Sequence, residues 1–309
     1  MTQLDGFLEA AIRSASPLAF AALGELIAER SGVINIGLEG AIICGAFASF
    51  VAAGAFGPGA GLLAGGAAGL ALGVLFAIFA LVLRAQQIIV GAAVSMLGLG
   101  ASATLHRIAS AYSATASNVP TLQALRIPVL ADLPVVGNAL FFQPLTTYAL
   151  YLLFPLVWFF LYRTVGGIAL RAAGESPQAV VAAGHNPVRM QFAALCVCGF
   201  LAGVGGSTLV VVQAGTFSDG MSAGRGFIAI AVVALGRWKP SGVAIGALLF
   251  GSASALQFLA QSLGWNVPYN LVLAAPYVLT LIAMALFGGA RAAPAALGRS
   301  PGGMASLIR

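Results

Sequence analysis

The sequence predicts an all-α fold, a polytopic bundle of transmembrane helices with about eight or nine spans. Three observations carry this expectation. The 309 residues are 60% hydrophobic and only 7% charged, a charge density several times below that of a soluble protein of this length. Mean hydropathy is +1.01. Apolar stretches of about 20 residues, the length needed to cross a bilayer, recur along the whole chain.

Eight spans are predicted, at 7–28, 33–54, 60–83, 87–106, 144–162, 188–212, 240–262 and 269–288. The opening residues MTQLDGFLEA lack a positive region and a small-residue cleavage site, so the first stretch is expected to stay as an anchor. A further apolar piece, 225–236, is too brief to cross alone at about 1.5 Å per residue. It is expected to be a tilted or broken helix, or a re-entrant segment buried by protein. Glycine is abundant, with 40 residues and runs such as GLLAGGAAGLALG at 61–73, which suits close approach of membrane helices. No internal repeat is evident. The chain is expected to be a single transmembrane domain, 1–309, with no room for a second soluble one.

Orientation follows from the basic residues. If 84–86, 163–187 and 289–309 face the cytoplasm, Arg13, Arg107, Arg126 and Arg225 are the four of the 14 basic residues left outside, so ten lie inside. This asymmetry obeys the positive-inside rule, with the N-terminus outside and the C-terminus inside. The loop 107–143, with Pro120, Pro128, Pro134 and Gly137, then becomes the largest external element.

Residues 30–45, RSGVINIGLEGAIICG, interrupt the apolar pattern with Asn35, Glu39 and glycines at 32, 37, 40 and 45. A carboxylate inside a bilayer costs about 2.5–3.5 kcal/mol on insertion scales. A polar, glycine-rich break is the composition of irregular backbone lining a protected cavity. On a continuous helix Asn35 and Glu39, four apart, share a face. Two roles stay open: lining a translocation route or gate, and satisfying exposed backbone or an ion network with Glu25, Glu29 and Arg30. Gln87 and Ser95 give the fourth span a polar stripe, facing the route or bonding neighbouring helices. Trp158, Tyr162, Trp238 and Trp265 fall near span ends, as an interfacial belt would.

The loop 162–192, YRTVGGIALRAAGESPQAVVAAGHNPVRMQF, is punctuated. Ser176-Pro177 starts a helix, Gly184 suits the left-handed position after its end, and Asn186-Pro187 starts the next one. A separate helix of about seven residues, roughly 10 Å long, is expected on the inner face. It is either an interfacial connector or a docking element that presents Arg171, Glu175 and small alanines.

Several function classes are excluded. The net charge of +6 arises from scattered loop residues with no basic cluster, which argues against nucleic acid. Cys44, Cys196 and Cys198 lie in apolar stretches, and the last two point to opposite sides of a helix, so no metal site is expected. No phosphate loop of the G-x-x-x-x-G-K-[ST] kind occurs, and no Ser/His or carboxylate pair suggests catalysis. A stand-alone secondary transporter is the competing class. It would carry coupling-ion carboxylates within its spans, yet Asp132, in a loop, is the single acidic residue between Leu62 and Leu161.

The loop GGIALRAAGESPQAVVAAGHNPVRM resembles the coupling-helix region of ATP-binding cassette (ABC) importer permeases of the branched-chain amino acid, ribose and nucleoside group. The approximate pattern G-x-x-L-R-A-x-G-E-N-P-x-A, ending at a glycine, is met by Gly167, Leu170, Arg171, Ala172, Gly174, Glu175, Pro177, Ala179 and Gly184, with Ser176 where Asn is usual. GELIAERSGVINIGLEGAI (24–42) and AGRGFIAIAVVALGRWKPSG (223–242) resemble further elements of the nucleoside and simple-sugar branch. The resemblance is closest to the shorter permease of nucleoside importers. It implies a multi-pass subunit of the bacterial inner membrane that moves purine-type nucleosides or simple sugars. It also implies three partners: a cytoplasmic ATPase that uses the ATP, a second, longer permease, and a substrate-binding lipoprotein of the basic-membrane-protein type. No cofactor would be held by this chain. The residues implied to couple to the ATPase are Gly167, Arg171, Gly174, Glu175, Ser176, Pro177, Ala179 and Gly184. Asn35, Glu39, Gln87 and Ser95 are the candidates for the translocation path.

Overall fold

The computed structural model describes residues 3–112, 118–128, 137–262 and 293–298, together with Val278. The predicted span 269–288 (apart from Val278), Trp265, Pro134, Asp132 and most of the C-terminal tail lie outside the described residues. Within them run helices α1 (Gln3–Arg30), α2 (Leu38–Phe56), α3 (Pro58–Ala77), α4 (Gln87–Tyr112), α5 (Gly137–Phe141), α6 (Leu145–Arg163), α7 (Val165–Glu175), α8 (Pro177–Ala182), α9 (Pro187–Thr208), α10 (Arg225–Leu235) and α11 (Pro240–Ser262). α3 and α9 each end in a π-helical turn, Ile78–Val82 and Leu209–Ala214. Strands β1 (Ala124–Arg126) and β2 (Phe142–Pro144) pair antiparallel, with Leu125 opposite Gln143. They place a small hairpin-like cover within the loop predicted at 107–143.

Six helical stretches among the described residues are long and apolar enough to cross a bilayer: Asp5–Arg30, Leu38–Phe56, Pro58–Val82, Gln87–Ala109, Leu145–Arg163 and Pro187–Ala214. The bundle is therefore polytopic and helical, but these six do not reach the eight or nine spans predicted. The piece predicted at 225–236 is the 11-residue α10. α11 matches the predicted 240–262 in its bounds.

Burial sorts the helices into layers. The spanning windows of α1 and α9 are 78% and 72% buried, against 33% and 28% for α4 and α6. α1 and α9 form the centre, with α2, α3, α10 and α11 around them. Small residues make this layer possible. A Cβ at Gly69 of α3 would lie 2.2 Å from the carbonyl oxygen of Gly199, and one at Gly203 of α9 would lie 2.1 Å from that of Gly65. Backbones touch directly there, which any side chain would prevent.

Two ends are distinct. At one, Arg30, Gly174, Trp238 and Ala296 come together. At the other, Asp219 bonds His106 at 3.2 Å, Val119 donates to the Gly215 carbonyl and Leu122 to that of Val211. Phe47, Phe50, Phe217 and the His106 ring pack edge-to-face beneath that outer layer.

Candidate functional site

The polar break predicted near residue 35 is real, and it is not helical. α1 stops at Arg30, Gly32 takes the left-handed φ of +96°, and the chain crosses to α2 without regular structure. Backbone groups freed inside an apolar bundle must find partners, and neighbouring helices supply them. Ile34 N donates to Gln87 Oε1 at 3.1 Å, and Asn35 N to Glu25 Oε1 at 2.9 Å. Ser95 Oγ donates to the Ile36 carbonyl at 2.9 Å, and Gly37 N to Asn35 Oδ1 at 3.0 Å. Gln87 and Ser95 are eight residues apart on α4, about 12 Å along its axis. The break therefore climbs into the bundle, and α2 begins well inside it.

Glu39, in the first turn of α2, is 4% exposed. Its Oε1 accepts from Ser222 Oγ at 2.6 Å and Gly224 N at 2.9 Å, while Oε2 accepts from Gly226 N at 2.7 Å. These donors are the start of α10. Gly224, at φ +75°, stands at its N-cap position with no side-chain cap of its own. Hydrogen bonds to a charged group contribute about 1.5–3 kcal/mol each, and the helix N-terminus adds about 0.3–1 kcal/mol. Three such bonds offset an insertion cost of about 2.5–3.5 kcal/mol. Glu39 is thus the N-terminal cap of a short inner helix, supplied from 187 residues away in sequence.

The predicted path candidates Asn35, Glu39, Gln87 and Ser95 do come together, since all four hold the segment 34–39 or its junction with α10. One expectation is corrected. Asn35 and Glu39 do not share a helical face, because Asn35 precedes α2 and turns toward Gly37 and Cys198, with Nδ2 3.6 Å from the Cys198 sulfur.

Sequence reasoning missed several partners. Cys198 is fully buried, and its thiol donates to Glu25 Oε2 at 3.3 Å. Trp238 is not an exposed belt residue. It is 8% exposed, and its Nε1 donates to Glu29 Oε2 while its carbonyl accepts from Arg30 Nε at 2.8 Å. Arg237 and Trp238 both have positive φ, 54° and 53°, a costly turn for residues with side chains. The α1 contacts hold that turn in place. Ser222, Gly224 and Gly226 carried no local signal, since their partner lies on another helix.

The punctuated loop forms two helices. Thr164 caps α7 by accepting from Gly167 N at 3.1 Å. Gly167 packs so closely that a Cβ would meet the Phe160 carbonyl at 1.9 Å. α8 runs as expected from Pro177, and Gly184 follows its end at φ +80°. Ser176 occupies the N-cap position but makes no side-chain cap, so proline's fixed φ sets the start. Asn186 does cap α9, accepting from Val188 N and Arg189 N. Pro177 and Val180 are buried, whereas Gln178, Ala179, Ala182 and Ala183 face outward. Arg171 stacks its guanidinium 4.6 Å from the Tyr162 ring centre, and Glu175 Oε2 accepts from Ala295 N at 3.2 Å. Gly174 abuts Arg30, where a Cβ would stand 2.3 Å from the carbonyl oxygen.

A groove of about 490 Å³ between α1, α3, α6 and α9 is lined by Leu153, Phe160, Val197, Phe200 and similar residues. Its lining is almost wholly apolar. A cleft of about 360 Å³ at the end bearing the N-terminus is lined by Glu9, Arg13, Ser14 and Gln213 among others, with Gln213 Nε2 donating to the Arg13 carbonyl at 2.9 Å.

A multi-pass helical bundle, broken near its centre and carrying a short capped helix on one face, has the build of a membrane transport protein. The chain belongs to the family described as the branched-chain amino acid transport system permease component, whose model matches residues 7–287. It is a transport subunit and not an enzyme. It is 35% identical over 294 residues to the guanosine ABC transporter permease protein NupQ of Bacillus subtilis, covering 92% of both chains. It is also 35% identical to the putative glucose ABC transporter permease protein TsgC13 of Haloferax volcanii, over 90% of this chain and 85% of that one. With the nucleoside ABC transporter permease protein NupC of Lactococcus lactis it shares 33% identity over 92% of both. No solved structure gives a significant match.

Proposed function

We propose that the chain is a permease subunit of an ABC importer that carries nucleosides, purine-type ones foremost, across the inner membrane of a bacterium. The observation that carries this reading is its similarity, over 92% of both chains, to permeases of guanosine and nucleoside transporters. The glucose transporter relative supports simple sugars as the second cargo. The whole of 1–309 is read as one transmembrane domain, in which α11 and the stretch 269–288 add spans to the six.

ATP is bound and hydrolysed by a partner ATPase, and this chain holds no cofactor. The ATPase seats on α8, with Ala179 in its groove and Gly167, Arg171, Gly174, Glu175, Ser176, Pro177 and Gly184 shaping or presenting that surface. The apolar groove in this chain does not suit a polar cargo. A second permease therefore completes a polar route past the break at 34–39, and a substrate-binding lipoprotein delivers cargo at the opposite face. Stand-alone secondary transport is not favoured, because the relatives belong to ABC systems.

Uptake of labelled guanosine by cells expressing the full system tests this. Competition by unlabelled nucleosides is the expected result. Competition by glucose alone would move the cargo to sugars.

A further inference from the structure

We infer that the turn at 294–298 is a clamp that fixes the break after α1 to the α7–α8 loop, with Ala296 and Gly298 as positioning residues for transport. This rests on the reading of the loop as the ATPase seat. Three main-chain donors of the turn reach two separate elements. Ala296 N donates to the Gly174 carbonyl at 2.8 Å, Gly298 N to the Gly32 carbonyl at 3.1 Å, and Ala295 N to Glu175 Oε2 at 3.2 Å. Ala296 is 5% exposed, and Ala293 and Leu297 pack against the main core. The turn is thus seated in the bundle, and Gly298 closes it at φ +74°.

The two elements it joins already touch through bare backbone. A Cβ at Gly32 would stand 3.2 Å from Gly174 Cα and 3.6 Å from the Ala296 oxygen. No side chain separates the end of α7 from the start of the break. Sliding one past the other would break main-chain hydrogen bonds in an apolar setting, where an unpaired group costs about 1–3 kcal/mol. The three segments therefore move as one body.

Connectivity at each end gives the clamp its role. Glu175 is followed at once by α8, so displacement of α8 reaches Gly174 through about one helical turn of chain. Gly32 leads directly into Ile34, Asn35 and Ile36, whose backbones are held by Gln87, Glu25 and Ser95, and then to Glu39 and the start of α10. A push on α8 arrives at the central break without passing through a spanning helix. Gln191 adds a second sign. Its Nε2 donates to the Ser31 carbonyl at 3.1 Å, while its Oε1 is buried at this seam and accepts no hydrogen bond among the described residues. A buried acceptor left open beside a junction fits a seam that presents a different donor in another state.

The test uses the complete transporter in lipid nanodiscs. Ala296→Pro deletes the N–H that reaches Gly174, and Gly298→Val strains a left-handed position. Both variants should keep ATP hydrolysis within about twofold of the unaltered complex while transport falls about tenfold or more. Transport within about twofold in both variants overturns the clamp. So does joint loss of hydrolysis and transport in a complex that assembles normally, since the turn would then serve ATPase docking. Amide exchange on the unaltered complex decides if the variants fail to assemble. Ala296 and Gly298 should stay protected both without nucleotide and with a non-hydrolysable ATP analogue; exposure on nucleotide binding overturns the inference. Hydrolysis and amide protection are read without cargo. A complex that hydrolyses ATP with its clamp protected but carries no nucleoside rejects the cargo and leaves the clamp standing.

Discussion

Gly226 donates its backbone N–H to Glu39 Oε2 at 2.7 Å, and a Cβ on Gly226 would lie 2.4 Å from the Glu39 nitrogen. The first turn of α2 and the first turn of α10 are therefore fitted backbone to backbone, with one carboxyl group serving as the shared cap. Glu39→Gln keeps one accepting oxygen and turns the other into a donor facing an N–H. A lost bond to a charged group costs about 1.5–3 kcal/mol, so the purified variant should unfold at lower temperature and accumulate less. Gly226→Ala should do the same by steric clash. Wild-type thermal stability in Glu39→Gln, with transport abolished, would instead make Glu39 a path residue.

The strained turn after α10 makes a second case. Trp238→Phe keeps an aromatic ring, smaller than the indole, and removes the N–H that Glu29 accepts, leaving that carboxyl group, 2% exposed, without this donor. An unsatisfied buried group costs about 1–3 kcal/mol, more when charged. Thermal unfolding should shift down clearly. No shift would mean that Glu29 is satisfied from elsewhere.

Much of this fold is legible in sequence because hydropathy and punctuation are local. The edges of α2, α3, α6 and α9 fall within six residues of the predicted spans, and Pro177, Gly184 and Asn186 mark their turns as expected. The central junction was only half legible. The composition of 30–45 announced a break, but a helical reading of it paired Asn35 with Glu39. Its actual partners, Glu25, Gln87, Ser95 and Cys198, come from other helices, and Ser222 from the turn before α10, and no periodicity encodes such distant meetings. The π-helical turns and the β1–β2 pair were equally silent, being set by packing and a three-residue register.

Glycines should divide sharply by position. Gly203→Ala places a methyl 2.1 Å from the Gly65 carbonyl, against rigid backbone that cannot yield. The α3–α9 seam should open and the protein should fail to assemble. Gly100 of α4 has nothing within 4 Å of its would-be Cβ, so Gly100→Ala should stabilise by about 0.4–1 kcal/mol through the unfolded state. Thermal unfolding of the two variants checks both signs. Similar behaviour would refute the packing argument.

Orientation is tested by single cysteines at Gln123 and Gln178 in a background free of Cys44, Cys196 and Cys198. Both positions are exposed, beside β1 and on α8. The basic-residue asymmetry puts 123 outside and 178 inside. An impermeant thiol reagent added to intact cells should label position 123 alone. Labelling of position 178 alone would invert the topology.

The last prediction concerns α8 itself. Ala179 is exposed, while Pro177 and Val180 on the other side are buried, so bulk at 179 points away from the bundle. Ala179→Trp should leave the melting temperature of the isolated permease unchanged and weaken ATPase association or its coupling to transport. Gly184→Val acts differently. Nothing lies within 4 Å of the would-be Cβ, but φ is +80°, a conformation that a β-branched residue resists. Val180 and Val181 carbonyls accept from His185 N and Gly184 N at 3.0 and 2.9 Å, and both bonds close the end of α8. Straining residue 184 should fray that end and tilt the exposed alanines. Transport should fall about tenfold in each variant, within the range of coupling energies between linked sites. Normal transport and normal ATPase binding in both would place the docking surface elsewhere on the cytoplasmic face.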